Sequence, residues 1–339
     1  MPRKFKVGSL FAGIGGICSG FKQAGCDVVW ANEYNKNACL TYKKNFPKTN
    51  LYEKDVNEFL NESEPFVKEL NLKKIDIVTS GFPCQAFSVA GYRQGFEDKK
   101  GRGNHFFSTA KVIELMQPKA FLLENVKNLA GHDKGNTIKV IKETIFKLGY
   151  SYIQFCLNAK DYGNLPQTRE RIYIVGFRGE AGYENNDSNK SDSILTHQFK
   201  IPEKITLKQN IHDVLFDDKQ EDKFYYISDH QYYDELDSTM TSKDTIYQWR
   251  RVYVRENKSK VCPTLTANMG TGGHNVPLIR DAYGIRKLTP EECLRFQGFP
   301  AEFKFPAEMA QSHKYKQAGN SVAVPVVKRI AHEIVRLLN

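Results

Sequence analysis

KVGSLFAGIGG, residues 6–16, is the stretch that decides the fold. Lys6 to Phe11 is an apolar run of strand length. A glycine-rich turn follows, and Gly16 to Ala24 carries the apolar spacing of a helix. A strand that passes through glycines into a helix opens a ligand-binding βα unit. Gly13 and Gly15 stand where the backbone must come close to a bound molecule. The full dinucleotide fingerprint would put a third glycine at position 18, where this chain has Cys18.

Outward from this loop, Asp27 to Ala31 reads as a second strand and Asn35 to Asn45 as a helix. Further strands are expected at Ile75 to Thr79, Ala120 to Glu124 and Arg171 to Phe177. Helices are expected at Phe106 to Met116 and Thr137 to Leu148. Strands alternating with helices imply an α/β fold, a mostly parallel sheet with helices on both faces. The acid expected about 20 residues after the glycine turn is Glu33, whose carboxylate can accept both hydroxyls of a ribose. A packing turn with a surface glutamate is the competing reading. The loop has no Lys-Ser/Thr pair to cradle phosphates, so a nucleoside without pyrophosphate, such as S-adenosylmethionine, suits it at least as well as NAD. Asp55, after an apparent third βα unit, can receive an adenine amino group; a solvated loop acid explains it equally well.

Composition changes near residue 180, where GEAGYENNDSNKSDS is polar and rich in Gly, Asn and Ser. From 181 to about 287 helical periodicity is lost. This stretch is expected to form a second, smaller, irregular domain of short strands and loops. Within it, Thr241 to Lys260 carries six basic residues against two acidic ones. Order returns at Thr289-Pro290-Glu291-Glu292, a capping-box signature, and Val322 to Leu338 reads as a closing helix. The expected division is 1–180, 181–287 and 288–339, the last returning to the first part.

The 339 residues include 49 Lys plus Arg against 39 Asp plus Glu, a formal charge of +10 that favours a polyanionic partner. With 40% apolar and 12% aromatic residues the chain can build packed cores, which excludes disorder throughout. No apolar run approaches the roughly 20 residues of a membrane span, and the N-terminus lacks a signal-peptide core. The seven cysteines, without C-x-x-C spacing, fit neither a disulfide framework nor a zinc knuckle. A soluble, cytoplasmic protein with reduced thiols and no metal is expected.

Three segments bring reactive groups to strand ends. IDIVTSGFPCQAFSVAG puts Cys84 just past a strand, on the sheet edge that also carries the glycine loop, with Pro83 restricting the backbone before it. A thiolate there is a nucleophile; a buried inert thiol is the alternative. KAFLLENV ends an apolar strand on Glu124, and a carboxyl in an apolar mouth can hold a proton near neutrality. A glutamate that caps a helix or pairs with an arginine is the bland reading. In QTRERIYIVGF, alternation puts Arg169 and Arg171 on one strand face, a pair suited to a carboxylate, phosphate or carbonyl, or else to blocking an exposed sheet edge. Between Gln85 and Gly103, Gly91, Gly95, Gly101 and Gly103 can act as pivots of a closing loop or simply mark a surface loop.

In order along nearly the whole chain, FAGIGG, GFPCQAFSVAG, ENV, QTRERIYIVGF, RKLTPEECLRFQGFP and YKQAGNSVAVPV resemble the DNA cytosine-5 methyltransferases of bacterial restriction-modification systems. The resemblance implies a methyltransferase Rossmann-like sheet, with 181–287 as target-recognition region. It implies that Phe11 packs on the adenine of S-adenosylmethionine and that Gly13 and Gly15 line its methionine portion. Glu33 then holds the ribose and Asp55 the adenine edge, and Asn320 and Ser321 lie where the cofactor and active-site loops meet. Cys84 becomes the nucleophile, Glu124 contacts ring nitrogen 3 and the amino group of cytosine, and Arg171, with Arg169 nearby, faces the base. Thr264-Leu265 resembles the pair beside the flipped nucleotide. Gln85, Ser88, Arg250, Arg251 and Arg255 are expected at the DNA, with Lys258 and Lys260 as further phosphate contacts. Ala90 departs from a polar residue that a close relative's loop aims at the DNA.

Carbon 5 of cytosine is a poor nucleophile, and addition of a thiolate to carbon 6 makes it able to attack a methyl group. The thiolate must approach perpendicular to the ring, so the base has to leave the duplex, at about a few kcal/mol. Affinity for duplex DNA should fall steeply with salt. Methylation of RNA cytosine by the same chemistry is the second reading, and a nicotinamide-dependent oxidoreductase a more distant third. The expected partners are duplex DNA and, genetically, a cognate restriction endonuclease; the protein is expected to act as a monomer, associated with the nucleoid when on DNA.

Overall fold

The structure, a computed structural model, describes residues 3–61, 74–83, 105–184, 195–250, 252–270 and 276–339. Cys84, Gln85, Ser88 and Arg251, and the glycines expected as loop pivots, lie outside the described residues. The chain divides into two compact units. One comprises Met1–Leu157, Glu170–Pro202 and Val327–Asn339, the other Asn158–Arg169 and Glu203–Val326.

The first unit holds a seven-stranded sheet in the order β3-β2-β1-β4-β5-β7-β6. Its strands are β1 (Lys6–Leu10), β2 (Asp27–Asn32), β3 (Asn50–Tyr52), β4 (Ile77–Ser80), β5 (Ala120–Val126), β6 (Ile153–Asn158) and β7 (Glu170–Phe177). β1 pairs in parallel with both β2 and β4, and β4 with β5, while β7 runs antiparallel to β5. The winding reverses between β1 and β4, so the carboxyl ends of these two neighbours flank the crevice where open α/β sheets bind ligands. The helices are α1 (Gly16–Gln23), α2 (Lys36–Asn45), α3 (Val56–Asn61), α4 (His105–Met116) and α5 (Asn136–Lys147).

Sequence and packing agree here. Val7 to Leu10 of β1 and all of β4 are buried, so both sheet faces are covered, as near-continuous apolar parallel strands require. One core joins Leu10, Val78, Phe121, Leu123, Ile172 and Ile174 of the sheet to Phe106 and Ile113 of α4 and Ile141 and Ile145 of α5. Asn35 caps α2 by accepting the Ala38 amide at 3.1 Å, which satisfies one of the donors a helix start leaves open.

The second unit holds a five-stranded antiparallel sheet in the order β10-β9-β11-β12-β8. Its strands, β8 (Tyr225–Tyr226), β9 (Tyr247–Trp249), β10 (Val254–Glu256), β11 (Leu278–Arg280) and β12 (Ile285–Lys287), are two or three residues long. Strands this short show no period-2 pattern, which is why this region reads as irregular from sequence. Leu236 and Met240, from a short helix and its end, pack on Tyr247, Trp249, Leu278 and Ile285.

The capping box is formed as expected: Thr289 and Glu292 satisfy each other's backbone at the start of α6 (Pro290–Phe296). Glu292 also carries a fully buried ion pair. Arg286 Nη1 and Nη2 donate to its two oxygens at 2.7 and 2.8 Å, and Arg286 Nε donates to Asp281 at 2.6 Å. Glu292 further accepts the Phe216 amide at 3.0 Å. Next come α7 (Gln311–Asn320) and α8 (Val324–Leu338), and from Val327 the chain is back in the first unit. There Glu333 accepts the Lys200 amide and Arg336 donates to the Gln198 carbonyl. Among the described residues no helix is long and apolar enough to cross a membrane.

Candidate active site

In the first unit the site is built from strand ends. Past β1, Phe11, Gly13 and Gly15 all adopt positive φ, at 50°, 57° and 90°. The left-handed turn favours glycine at the last two and brings Gly13 N–H to face the end of β2. There Glu33 accepts that amide at 2.9 Å and the Asn35 amide at 2.8 Å. Glu33 thus fastens the glycine loop to the next strand. Burial raises its pKa, while these two backbone N–H bonds pull the other way. Each carboxylate oxygen has a second lone pair, so ribose hydroxyls can still be accepted.

The next acid is held by the same machinery. Asn32 donates to the carbonyls of Tyr52 and Lys54 at 3.1 and 2.8 Å, fixing the exit of β3. Asp55 follows and accepts the Asn57 amide at 2.8 Å, so one role of this residue is to start α3. A carboxylate has lone pairs beyond that one bond with which to meet a ligand.

Two residues that sequence reasoning missed adjoin Glu33 and Phe11. Tyr34, directly after Glu33, is a large aromatic left 64% exposed, a platform of the kind a purine stacks on. His105, the first residue of α4, meets the Phe11 ring edge-on at 5.1 Å. Burial lowers its pKa against the pull of Asp55. Tyr34 is signalled in sequence only by its place after the acid, and His105 by nothing local.

Gly81 joins this side to the carboxylate side. A Cβ there would stand 3.4 Å from Ile17 Cδ1 and 3.7 Å from Glu124 Oε2. The chain leaving β4 toward Cys84 is pinned at Phe82, whose carbonyl accepts Asn125 Nδ2 at 2.8 Å. Asn125, the middle residue of ENV, therefore positions the backbone two residues before the cysteine. Its neighbour Glu124 is buried, 9% exposed, and its Oε1 lies 3.2 Å from Arg171 Nε. The register explains the meeting. Glu124 opposes Tyr173 and Val126 opposes Arg171, so Glu124 and Arg171 are diagonal neighbours on one face of the β5–β7 pair.

Arg169 is placed differently from the alternation argument. β7 begins at Glu170, so strand alternation does not govern the residue before it. Arg169 is 2% exposed in the second unit, and its guanidinium donates to the carbonyls of Leu265 at 2.8 Å, Gly319 at 3.2 Å and Ser321. These bonds hold backbone. Thr264 Oγ1 donates to the Thr168 carbonyl at 2.6 Å, Asn320 ends α7 exposed, and Ser321 is buried. Arg250 is exposed where the β9–β10 hairpin turns, beside Val252 and Tyr253, exposed by 80% and 52%; Arg255, Lys258 and Lys260 are also exposed.

The family model described as C-5 cytosine-specific DNA methylase matches residues 5–336. The chain is 53% identical over 334 residues to the Type II methyltransferase M.Bsp6I of Bacillus sp. (strain RFL6), with 98% of each chain covered. It is 35% identical to the Type II methyltransferase M.HhaI of Haemophilus parahaemolyticus, covering 97% of this chain and 94% of that one. Among solved structures, a Spodoptera frugiperda DNMT2 variant superposes with a TM-score of 0.71 at 20% identity, covering 99% of each chain; this likeness bears on the fold alone. A glycine loop latched by a buried glutamate, and a carboxylate–arginine pair beside the exit of β4, are thus features of a chain that belongs to the C-5 cytosine-specific DNA methylase family.

Proposed function

We propose that Cys84, Glu124 and Arg171 carry out the family's reaction, transfer of a methyl group from S-adenosylmethionine to carbon 5 of a cytosine in DNA, on a base turned out of the duplex. The observation that carries this reading is the buried Glu124–Arg171 pair, 3.2 Å apart, beside the backbone that leads from β4 into Cys84. The cofactor supplies an activated methyl group when bound. Glu33, the open side of Gly13, Phe11 and Asp55 suit its nucleoside and methionine portions, with Asn320 and Ser321 as further cofactor residues.

In the proposed sequence the Cys84 thiolate adds to carbon 6. Glu124 hydrogen-bonds ring nitrogen 3 and draws charge from the ring as the bond forms. Arg171 donates to the carbonyl oxygen, where negative charge builds. Its Nε contact also keeps Glu124 aimed along the strand face. After methyl transfer a base removes the proton on carbon 5 and the sulfur leaves. Arg169 holds backbone and does not touch the base.

Residues 181–287 are proposed to read the DNA, with Arg250, Arg251 and Arg255 at the duplex, Thr264 beside the flipped nucleotide, and Gln85 and Ser88 as further DNA contacts. We further propose a short recognition sequence, action as a monomer, a cytoplasmic location and a restriction endonuclease encoded alongside; the last is supported by the likeness to Type II methyltransferases. The test is covalent trapping. Duplex DNA of mixed sequence containing 5-fluorocytosine should become bound to the wild-type chain in the presence of S-adenosylmethionine, and Cys84→Ser should abolish both trapping and turnover. Normal turnover by Cys84→Ser refutes the assignment.

A further inference from the structure

We propose that Arg169 is a positioning residue that sets the alignment of the reaction without touching substrate or cofactor. It does so by locking two turns of the second unit, Thr264–Leu265 and Gly319–Ser321, onto the segment that leads into β7. The proposal rests on the reading above, in which Thr264 lies beside the flipped nucleotide and Asn320 and Ser321 lie at the cofactor.

The geometry is specific. Three stretches far apart in sequence meet at one guanidinium. Nη1 donates to the Leu265 carbonyl at 2.8 Å, and Nη2 to the carbonyls of Gly319 at 3.2 Å and of Ser321. Backbone bonds tie the same stretches together around it. The Thr168 amide donates to the Cys262 carbonyl at 2.8 Å, the Cys262 amide to Pro166, and Thr264 Oγ1 to the Thr168 carbonyl at 2.6 Å. On the far side, a Cβ on Gly319 would collide with the Thr266 carbonyl, so α7 and the segment after Leu265 meet backbone to backbone.

A charged group buried on carbonyl oxygens is costly to place unless its hydrogen bonds are made, and charge-assisted bonds are the strong ones. Arginine suits this position because its planar fork presents donors in two directions at fixed spacing. Lysine concentrates its donors at one point and cannot reach both turns at once. A packing residue would not need that fork. The chain continues from Arg169 through Glu170 directly to Arg171, so a shift of the locked segment is passed to the arginine that faces the base. A misplacement of about 1 Å at a reacting group can cost about 100-fold in rate.

The experiment compares the full-length wild type with Arg169→Lys and Arg169→Gln. Methyl transfer is measured on duplex DNA of mixed sequence, and the rate of adduct formation on the same DNA carrying 5-fluorocytosine. Both variants should keep a cooperative thermal melt and KM values for DNA and S-adenosylmethionine within about threefold of wild type. Their kcat and their trapping rate should fall together by about 10- to 100-fold. A kcat within threefold of wild type in Arg169→Lys overturns the proposal. Loss of the cooperative melt in both variants also overturns it, because the arginine would then hold the fold and not the alignment. The wild-type control separates the two ideas. If the wild type fails to trap, the underlying site assignment falls. If the wild type traps and Arg169→Lys traps equally fast, only the role of Arg169 falls.

Discussion

Replacing Gly15 by alanine should separate two costs that the glycine loop conceals. Gly15 sits at φ 90°, a conformation that costs an L-residue about 1–2 kcal/mol. Its added methyl would also stand 2.8 Å from Cζ of Phe46 and closer still to Cε2. That ring cannot simply retreat, because it is 6% exposed and stacked on Tyr42 at 4.6 Å between centroids. Overpacking of this kind costs about 1–3 kcal/mol. The sum is about 2–5 kcal/mol, a large share of the roughly 5–15 kcal/mol that holds a typical domain together. Gly13 is the internal control. It has φ 57° but meets no atom within 4 Å. Gly13→Ala should therefore lose only the backbone part, about 1–2 kcal/mol. The chain has two tryptophans, Trp30 in the first unit and Trp249 in the second. In a Trp249→Phe background, urea unfolding followed by Trp30 fluorescence therefore reports the unit that carries the loop. Equal destabilisation by the two alanines would refute the packing argument and leave only the dihedral one.

Glu33 should make cofactor binding sensitive to acid. Its pKa is raised by burial, so as pH falls the carboxylate is protonated earlier than an exposed glutamate. S-adenosylmethionine affinity measured by calorimetry should then weaken starting above pH 4.5, the ordinary carboxyl value. Glu33→Gln should bind weakly with that dependence removed; an unchanged pH profile in the variant contradicts the assignment. The sign for stability is opposite. A raised carboxyl favours the folded state below its unfolded pKa, and this contribution is lost as pH rises through the folded value, so Glu33→Gln should not destabilise the unit at neutral pH through charge burial. Glu292→Ala should cost the second unit about 3–5 kcal/mol, because the buried Arg286 guanidinium loses two of its charge-assisted bonds and keeps only Asp281 as a charged partner, while Arg286→Met combined with Glu292→Leu should cost less than Glu292→Ala alone. Urea unfolding of the two variants checks the order.

Much of the first unit is legible in the sequence because its strands are long, apolar and punctuated by glycine. β1, β2, β4, β5 and β7 and the helices α1, α2, α4 and α5 lie within a few residues of their expected places, while no helix is expected at α3. β3 escapes because it is three residues with no apolar run, whereas β6 carries a readable alternation, with Ile153, Phe155 and Leu157 buried, that the sequence reading passes over. At the site, spacing singles out Glu33 but leaves a surface glutamate as the alternative; its bonds to Gly13 and Asn35 show it buried against the loop. Spacing gives no such signal for Asn125 and Arg169, because their partners are backbone carbonyls, which any sequence supplies. The five short strands of the second unit are set by tertiary pairing and by Arg286, a charge whose burial only its partners from 281 and 292 make tolerable.

That buried cation bears on any exchange of the region proposed to read the DNA. A cassette cut at residue 287 and replaced by one from a relative would carry its own residue into the place of Arg286 and leave Glu292 behind in the host. Only donors bringing an arginine to that place would leave α6 with its counterion. Successful chimaeras should therefore be found among sequences that preserve this one junction, however freely the region proposed to read the DNA diverges.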